Sequence, residues 1–183
     1  TDAFSGATTP DGVALVSNSH TSLNGDTIDN LETGALSADN FAVLIKSLRL
    51  QKAQDGDLGS YHADGSLFPV NLLPTAHAVL VSELKAGTGN NDSNYVSQVY
   101  PNLVLGVSEY LDETYNSYNS NGDTSFFVVS KMHSICRDVR VPLSTGWTDP
   151  MVDRRRRAFY RAAFRELVYC GTWGGVVGSN GTV

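Results

Sequence analysis

The strongest constraint on the fold is one short stretch with a helical period. Its apolar residues recur at intervals of three and four, which places them on one face of an α-helix: Phe41, Leu44, Ile45 and Leu48. Ser37 is a good N-cap, and Asp39 follows in the first turn, where the helix dipole favours a carboxylate. Asp55-Gly56 is a typical helix stop. The sequence therefore predicts a helix over 37–53.

Short apolar stretches separated by polar, glycine-rich loops surround this helix and indicate strands. Pro69 lacks a backbone donor, so its strand is predicted to be an edge strand or to begin near the proline. A second helix is predicted to open at Pro74-Thr75, with Thr75 as its cap, and to stop at Gly87. Its apolar stripe is Ala76, Val79, Leu80 and Leu84. The predicted strands are Val13–Val16, Leu67–Leu73, Leu103–Val107, Ser125–Val129 and Ile135–Val141. Two helices unevenly spaced among strands predict an α+β fold.

The block after Arg157 fits two periods. Its apolar residues suit a helical face, but Tyr160, Ala162, Phe164 and Val168 also alternate, with Arg161 and Arg165 on the opposite side. Periodicity leaves both structures open. The aromatic residues, Cys170 and the glycines that follow favour a strand.

Composition restricts the class of function. The chain has 183 residues, a net charge of -6 and 17% charged residues. An acidic chain is a poor candidate for a protein whose main function is to bind nucleic acid, since that function usually requires a basic surface. Without a run of 18 apolar residues we predict no membrane helix. Cys136 and Cys170 lie far apart and form no CxxC pair, so we expect two reduced thiols and no zinc site.

No catalytic, metal or cofactor site is predicted. The four histidines, His20, His62, His77 and His133, form no metal-binding pair. No Gly-x-Ser-x-Gly motif marks a serine hydrolase. The stretch Asp55–Gly59 resembles the start of a calcium loop, but Ser66 stands where the twelfth-position glutamate is required, which favours a polar turn.

The densest cluster of charge is a run of four consecutive arginines, Arg154, Arg155, Arg156 and Arg157. Adjacent guanidinium groups can bind phosphates or the carboxylates of a protein partner. Because the chain is acidic, we favour contact between subunits over contact with nucleic acid. These four arginines and Trp173 are the candidate subunit-interface residues.

Several segments, taken in order, resemble one known family. Ala14–His20 resembles a "Leu-Phe-Ser-x-x-His" stretch, with Val16 where Phe is common. The helix opening at Leu36–Asn40 and ending at Arg49–Gly56 resembles a helix end written "Arg-x-Gln-Lys-Asp-x-x-Gly".

The later segments continue the match. Leu67–Ala78 resembles the "Leu-Leu-Val-Pro-Pro" strand and its helix, with Thr75 replacing the second proline. Val104–Leu111 resembles a strand ending in "Pro-Tyr-Leu", with Glu109 where Pro is common. Asp149, Asp153, Phe159-Tyr160-Arg161 and Trp173-Gly174-Gly175 resemble the closing "Phe-Arg-x-Arg … Trp-Arg-Gly" block. The chain thus resembles the Mu-like major head subunit group of tailed-phage capsid proteins, which have the Hong Kong 97-type fold.

The resemblance implies an axial domain and part of a peripheral domain. Residues 1–36 are then a loop-rich initial segment of the peripheral domain, 37–145 an axial-type α+β domain, and 146–183 the closing peripheral strand block. The family's N-terminal arm and spine helix are not found ahead of Ser37, so we expect them to be missing here. The resemblance also favours a strand after Arg157.

The implied function is structural. Copies of the chain would form hexamers and pentamers of an icosahedral shell around double-stranded DNA, in a virion assembled in the host cytoplasm. Portal, scaffold and cement proteins are further candidate partners; DNA would be contacted only non-specifically, and no membrane, cofactor or enzymatic activity is implied. Two alternatives stay open: a carbohydrate- or ligand-binding module using Trp147, Trp173 and tyrosines, and a hydrolase whose site is assembled in space.

Overall fold

The structure is a computed structural model that describes residues 9–83, 93–112, 122–148 and 159–181. It is a mixed α+β fold with a sheet-rich core, as the sequence predicts. The chain divides into two compact units. We call Thr1–Ser134 with Cys170–Val183 the body, and Ile135–Tyr169 the ribbon.

The described helices and strands alternate irregularly along the chain. The helices are α1 (Ala38–Leu50), α2 (Leu73–Leu80) and α3 (Tyr95–Val99), with 3₁₀ turns at Val70–Leu72 and Glu109–Leu111. The strands are β1 (His20–Thr21), β2 (Thr27–Ile28), β3 (Leu31–Glu32), β4 (Gly65–Pro69), β5 (Val104–Ser108), β6 (Phe126–Val129), β7 (Ile135–Thr148), β8 (Phe159–Cys170) and β9 (Val176–Ser179).

The body is organised by a five-stranded mixed sheet in the order β3-β9-β6-β4-β5. The pairs β3–β9 and β4–β5 are parallel, whereas β6 is antiparallel to both β4 and β9. The register aligns Phe127 with Leu67 on one side and with Gly178 on the other. Strand β9, all four of whose residues are buried, therefore lies inside the sheet although it follows the ribbon in the chain.

Helix α1 covers the sheet with the face that the sequence predicts. Phe41, Leu44, Ile45 and Leu48 are all buried, and the Ser37 hydroxyl accepts a hydrogen bond from the Asn40 N–H at 3.1 Å. The ring of Phe41 lies 5.9 Å from that of Phe68 and 6.3 Å from that of Phe126, so the helix and two strands share one aromatic cluster. The helix ends at Leu50, earlier than predicted, because Gln51 is extended and bonds β9.

The predicted position of Pro69 is wrong. Strand β4 lies between β6 and β5 and is not an edge strand, and Pro69 ends the strand instead of beginning it. Strand β6 pairs only with Gly65, Ser66 and Leu67. The donor that Pro69 lacks is therefore not needed on that side, which allows a proline in an interior strand.

Two other local predictions need correction. Helix α2 begins at Leu73, with Pro74 in its first turn, so Thr75 is not the cap; a proline is pre-organised for that position. Ala76 and Val79 are buried as predicted, whereas Leu84 and Gly87 lie outside the described residues. Residues 13–16 form no regular strand, although Leu15 and Val16 are buried.

The second unit is more extended than the sequence suggests. Strand β7 continues seven residues beyond the predicted end at Val141, so the predicted domain boundary between residues 145 and 146 falls inside it. In the block after Arg157, the described residues Phe159–Cys170 form strand β8 and not a helix.

Candidate contact surface on the ribbon

The ribbon is a two-stranded sheet formed by β7 and β8. Side-chain contacts define how its strands face each other: Arg137 Nε donates to Glu166 Oε2 at 3.0 Å, and the ring centroids of Trp147 and Tyr160 lie 5.1 Å apart. As residue numbers rise along β7, those of the contacted residues fall along β8, so the strands are antiparallel. Both contacts join an odd-numbered residue of β7 to an even-numbered residue of β8, which identifies one common face.

That face is apolar and open to solvent. We call it the apolar face; it comprises Val139, Val141, Leu143, Trp147, Tyr160, Phe164 and Val168, and all seven are exposed. The largest exposed fractions are 75% for Trp147, 68% for Leu143 and 66% for Phe164. The apolar residues of this face extend along β7 from Val139 to Trp147, about 26 Å at about 3.3 Å per residue, and the Arg137–Glu166 ion pair lies on the same face near one end of the ribbon. Seven large apolar side chains exposed on one face are typical of an interaction surface.

The opposite face, called here the polar face, carries Asp138, Arg140, Ser144, Arg161 and Arg165 together with Leu167 and Tyr169. The Tyr169 hydroxyl lies near the carboxylate of Asp138 and the thiol of Cys136, which raise its pKa, the carboxylate more strongly. This interaction shows that even-numbered residues of β7 and odd-numbered residues of β8 share the polar face. Arg140, Arg161 and Arg165 make no ion pair with another described residue. Their guanidinium groups are therefore available to a partner.

A two-stranded sheet of this kind cannot bury its own apolar face. Isolated hairpins are marginally stable in water, and three strands or a packed partner are usually needed. The one described ion pair within the ribbon, Arg137–Glu166, is exposed and contributes little to stability. The described part of the ribbon is therefore suited to association with another surface.

The candidate interface residues from the sequence lie elsewhere. Arg154, Arg155, Arg156 and Arg157 are outside the described residues. Trp173 belongs to the body and is only 1% exposed, so its ring is covered by its own chain. The sequence carries a signal for the apolar face, namely the alternation of Tyr160, Phe164 and Val168.

Trp173 takes part in a buried polar cluster of the body. The His20 ring stacks on it at 4.9 Å, and Trp173 Nε1 has no hydrogen-bond partner among the described residues. His20 Nδ1 lies 2.9 Å from Asp11 Oδ2, and Nε2 lies 3.2 Å from the Leu15 carbonyl oxygen. With an oxygen beside each ring nitrogen, the cluster attaches residues 11–20 to the rest of the body and has a structural role.

Asp11 is the acidic member of this cluster. Burial raises the pKa of its carboxyl, but hydrogen bonds from Thr9, His20 and the Val13 N–H together lower the pKa further than burial raises it. The net result is a pKa below the ordinary value of an aspartate. The ionised carboxylate is therefore the form that the folded body favours.

The structure places the remaining candidates in structural positions. Asp55 Oδ1 accepts from the Asp57 N–H at 3.1 Å, which is a polar turn. Within the described ranges, no three His, Cys, Asp or Glu side chains lie close enough to hold a metal ion. Cys136 and Cys170 are both thiols. None of the described helices has the length and apolar content needed to cross a membrane.

The chain is similar to a known capsid structure, at low sequence identity. No protein-family model matches the chain, and no curated protein matches it. Among solved structures, the chain is similar to a chain of "The capsid of Myoviridae Phage XM1", with a TM-score of 0.46 and 15% identity. The similarity covers 90% of this chain and 57% of that one, so this chain spans little more than half the length of the capsid chain.

Proposed function

We propose that this chain is a structural subunit of a tailed-phage capsid, of the Hong Kong 97 type and related to the Mu-like head subunits. The observation that carries the proposal is the exposed apolar face of the ribbon. A chain that keeps seven large apolar side chains in water needs a partner surface, and a self-assembling subunit supplies it from its own copies. The ordered series of sequence segments that resembles this family supports the same proposal.

The size of the apolar face bears on how the subunits associate. A strip on the order of 400 Å² contributes about 10 kcal/mol at about 25 cal/mol per Å². Loss of translational and rotational freedom costs about 4–15 kcal/mol. One ribbon contact is therefore marginal, and stable assembly requires several contacts per subunit. Hexamers and pentamers that close into a shell satisfy this requirement, since each copy then makes several contacts at once.

The proposed role needs no catalytic residue and no cofactor. Double-stranded DNA would be enclosed and contacted non-specifically, because the net charge of -6 opposes general attraction to phosphate. The place of action would be the virion, after assembly in the host cytoplasm. Portal, scaffold and cement proteins are further partners that a shell of this type would meet.

Electron microscopy and light scattering of the native material test this proposal. We expect closed particles of megadalton mass from the wild-type chain. The substitution Phe164→Asp places a charge on the apolar face and should raise the protein concentration required for assembly at least about tenfold, since a desolvated charge costs more than 1.4 kcal/mol.

A control for this experiment lies two residues away on the same face. Ala162→Ser changes little apolar area and should assemble like the wild type. A wild-type chain that stays at 19.7 kDa under all assembly conditions contradicts the proposal.

A ligand-binding module is the second candidate, and one observation favours it. Trp147 and Tyr160 form an exposed aromatic pair, and aromatic side chains of this kind can stack on sugars. Their rings are tilted by 58°, however, so they do not form one flat platform. Saturable binding of an oligosaccharide to a monomeric chain, lost on Trp147→Ala, would favour this function over the shell.

A further inference from the structure

The ring of His20 is completely buried and has an oxygen atom beside each of its nitrogens. Nδ1 lies 2.9 Å from Asp11 Oδ2, and Nε2 lies 3.2 Å from the carbonyl oxygen of Leu15. A carbonyl and an ionised carboxylate can only accept hydrogen bonds, and a neutral imidazole carries a single N–H, whereas the imidazolium carries two. The protonated ring can therefore donate to both oxygens, and the neutral ring to one of them.

Both oxygens are held in place by other hydrogen bonds. The second oxygen of the Asp11 carboxylate accepts from the Val13 N–H at 3.2 Å. The Leu15 carbonyl oxygen also accepts from Asn30 Nδ2 at 2.9 Å. Loss of the second ring proton of His20 would leave a nitrogen lone pair facing one of these fixed oxygens inside the body, and a buried polar group without its hydrogen bond is costly.

The flat side of the His20 ring lies against Trp173. The ring centroids are 4.9 Å apart and the ring planes differ by 17°, so the two rings stack. The face of an indole carries partial negative charge and attracts a cation placed over it. The stack joins two parts of the chain that are more than 150 residues apart, and protonation of the histidine strengthens it.

Four parts of the body surround the ring, and one of them brings a charge. The turn at residues 9–13 brings the Asp11 carboxylate, and Leu15 brings its carbonyl oxygen. Ile28 is the cross-strand neighbour on β2, and Trp173 is the stacked ring. Of these four groups the carboxylate is the charged and titratable one, and its negative charge favours a cation at His20.

We propose that His20 is a pH-sensitive latch, whose protonated ring holds residues 11–20 against Trp173 and whose deprotonation loosens them. This inference goes beyond the proposed function and involves the body alone. In the folded chain the protonated ring makes one more hydrogen bond and a stronger stacking contact than the neutral ring. Its contribution to stability is therefore present at the lower pH and is lost as the pH rises and the second ring proton leaves. The latch is closed while His20 is protonated and Asp11 is ionised.

The fluorescence of Trp173 tests the latch. The chain has two tryptophans, so Trp147→Phe leaves Trp173 as the one indole, stacked on His20. This variant, titrated from pH 5 to pH 9 at concentrations too low for assembly, should show a one-proton change in fluorescence. Adding His20→Asn should abolish the transition. Adding Asp11→Asn should instead lower the pH at its midpoint by at least about one unit, a tenfold loss of proton affinity, because the carboxylate no longer favours the cation.

The matched control is His77→Asn, which makes the same change at an exposed histidine of α2 and should leave the transition unaltered. A second measurement needs no substitution. The Ser17 N–H donates to Asn30 Oδ1 at 2.7 Å within the held segment. Its protection from hydrogen exchange, measured relative to the unfolded peptide at each pH, should fall about fivefold or more through the transition, which corresponds to the loss of one hydrogen bond. The amides of α1 should keep their protection.

Four results would overturn the inference: fluorescence that stays constant from pH 5 to pH 9, a transition that survives His20→Asn, an unchanged midpoint in Asp11→Asn, and protection of the Ser17 amide that does not fall as the pH rises. The formation of closed particles is a separate measurement. Particles without a His20-dependent transition overturn the latch and leave the proposed function intact. The transition in a chain that forms no particles does the reverse.

Discussion

The body and the ribbon use apolar residues in opposite ways. In the body, three phenylalanine rings are completely buried and pack against one another across a helix and two strands: Phe41, Phe68 and Phe126. In the ribbon, Phe164 is 66% exposed. The body therefore has the core it needs to fold alone, whereas the ribbon's apolar residues contribute to stability only when a partner covers them.

The largest expected effect compares two phenylalanines. Phe41→Ala removes a fully buried ring and should lower the free energy of unfolding by about 3–5 kcal/mol. Phe164→Ala removes an exposed ring and should change it by less than about 0.5 kcal/mol in the monomer. Urea denaturation of both variants, at concentrations too low for assembly, measures the difference. Equal losses would mean that the ribbon belongs to the same cooperative core.

The second prediction concerns the attachment of residues 11–20 to the rest of the body. Asp11→Asn removes the carboxylate beside the buried His20 and should cost about 2 kcal/mol at neutral pH. Since the pKa of Asp11 is lower in the folded chain than in the unfolded one, its contribution is present above the ordinary aspartate pKa of 3.8 and is lost as the pH falls through the folded value.

The wild type and Asp11→Asn should therefore converge in stability under acid conditions, which unfolding curves from pH 7 to pH 3 would show. Asp57→Asn is the control, because this exposed carboxylate makes no ion pair with another described residue and should cost less than about 0.5 kcal/mol. A constant difference across that pH range would exclude the carboxylate as the cause.

The smallest expected effect compares a cap in the body with an ion pair in the ribbon. Ser37→Ala removes the N-cap hydrogen bond of α1 and should cost about 1 kcal/mol. Arg137→Ala breaks the exposed pair with Glu166 and should cost about 0.5 kcal/mol or less. Thermal denaturation of the two variants measures which substitution lowers the stability more. A larger loss for Arg137→Ala would show that the ribbon is stabilised within the monomer.

Local signals in the sequence were enough to predict α1 and its contacts. The cap at Ser37 and the four buried positions all lie within one short segment, so helical period and capping specify them without reference to the rest of the chain. The strand predicted at Ser125–Val129 forms over Phe126–Val129 for a similar reason, since these four residues are continuously apolar.

Non-local pairing explains the wrong predictions. Nothing near Pro69 in the sequence shows that β5 and β6 flank its strand. The predicted end of β7 at Val141 precedes Pro142, which usually marks the limit of a strand. In a two-stranded ribbon each strand has one free edge, so a proline can occupy a strand without removing a ladder hydrogen bond. The burial of Trp173 likewise depends on His20, more than 150 residues away in sequence.

The position of β9 in the body sheet has a consequence for synthesis of the chain. Strand β3 pairs with β9, and β6 has β9 as its second partner, so the sheet is incomplete until β9 has been made. Because β9 follows the ribbon in the sequence, the ribosome releases the ribbon before the body can close. The apolar face of the ribbon is therefore exposed in the nascent chain before the sheet of the body is complete.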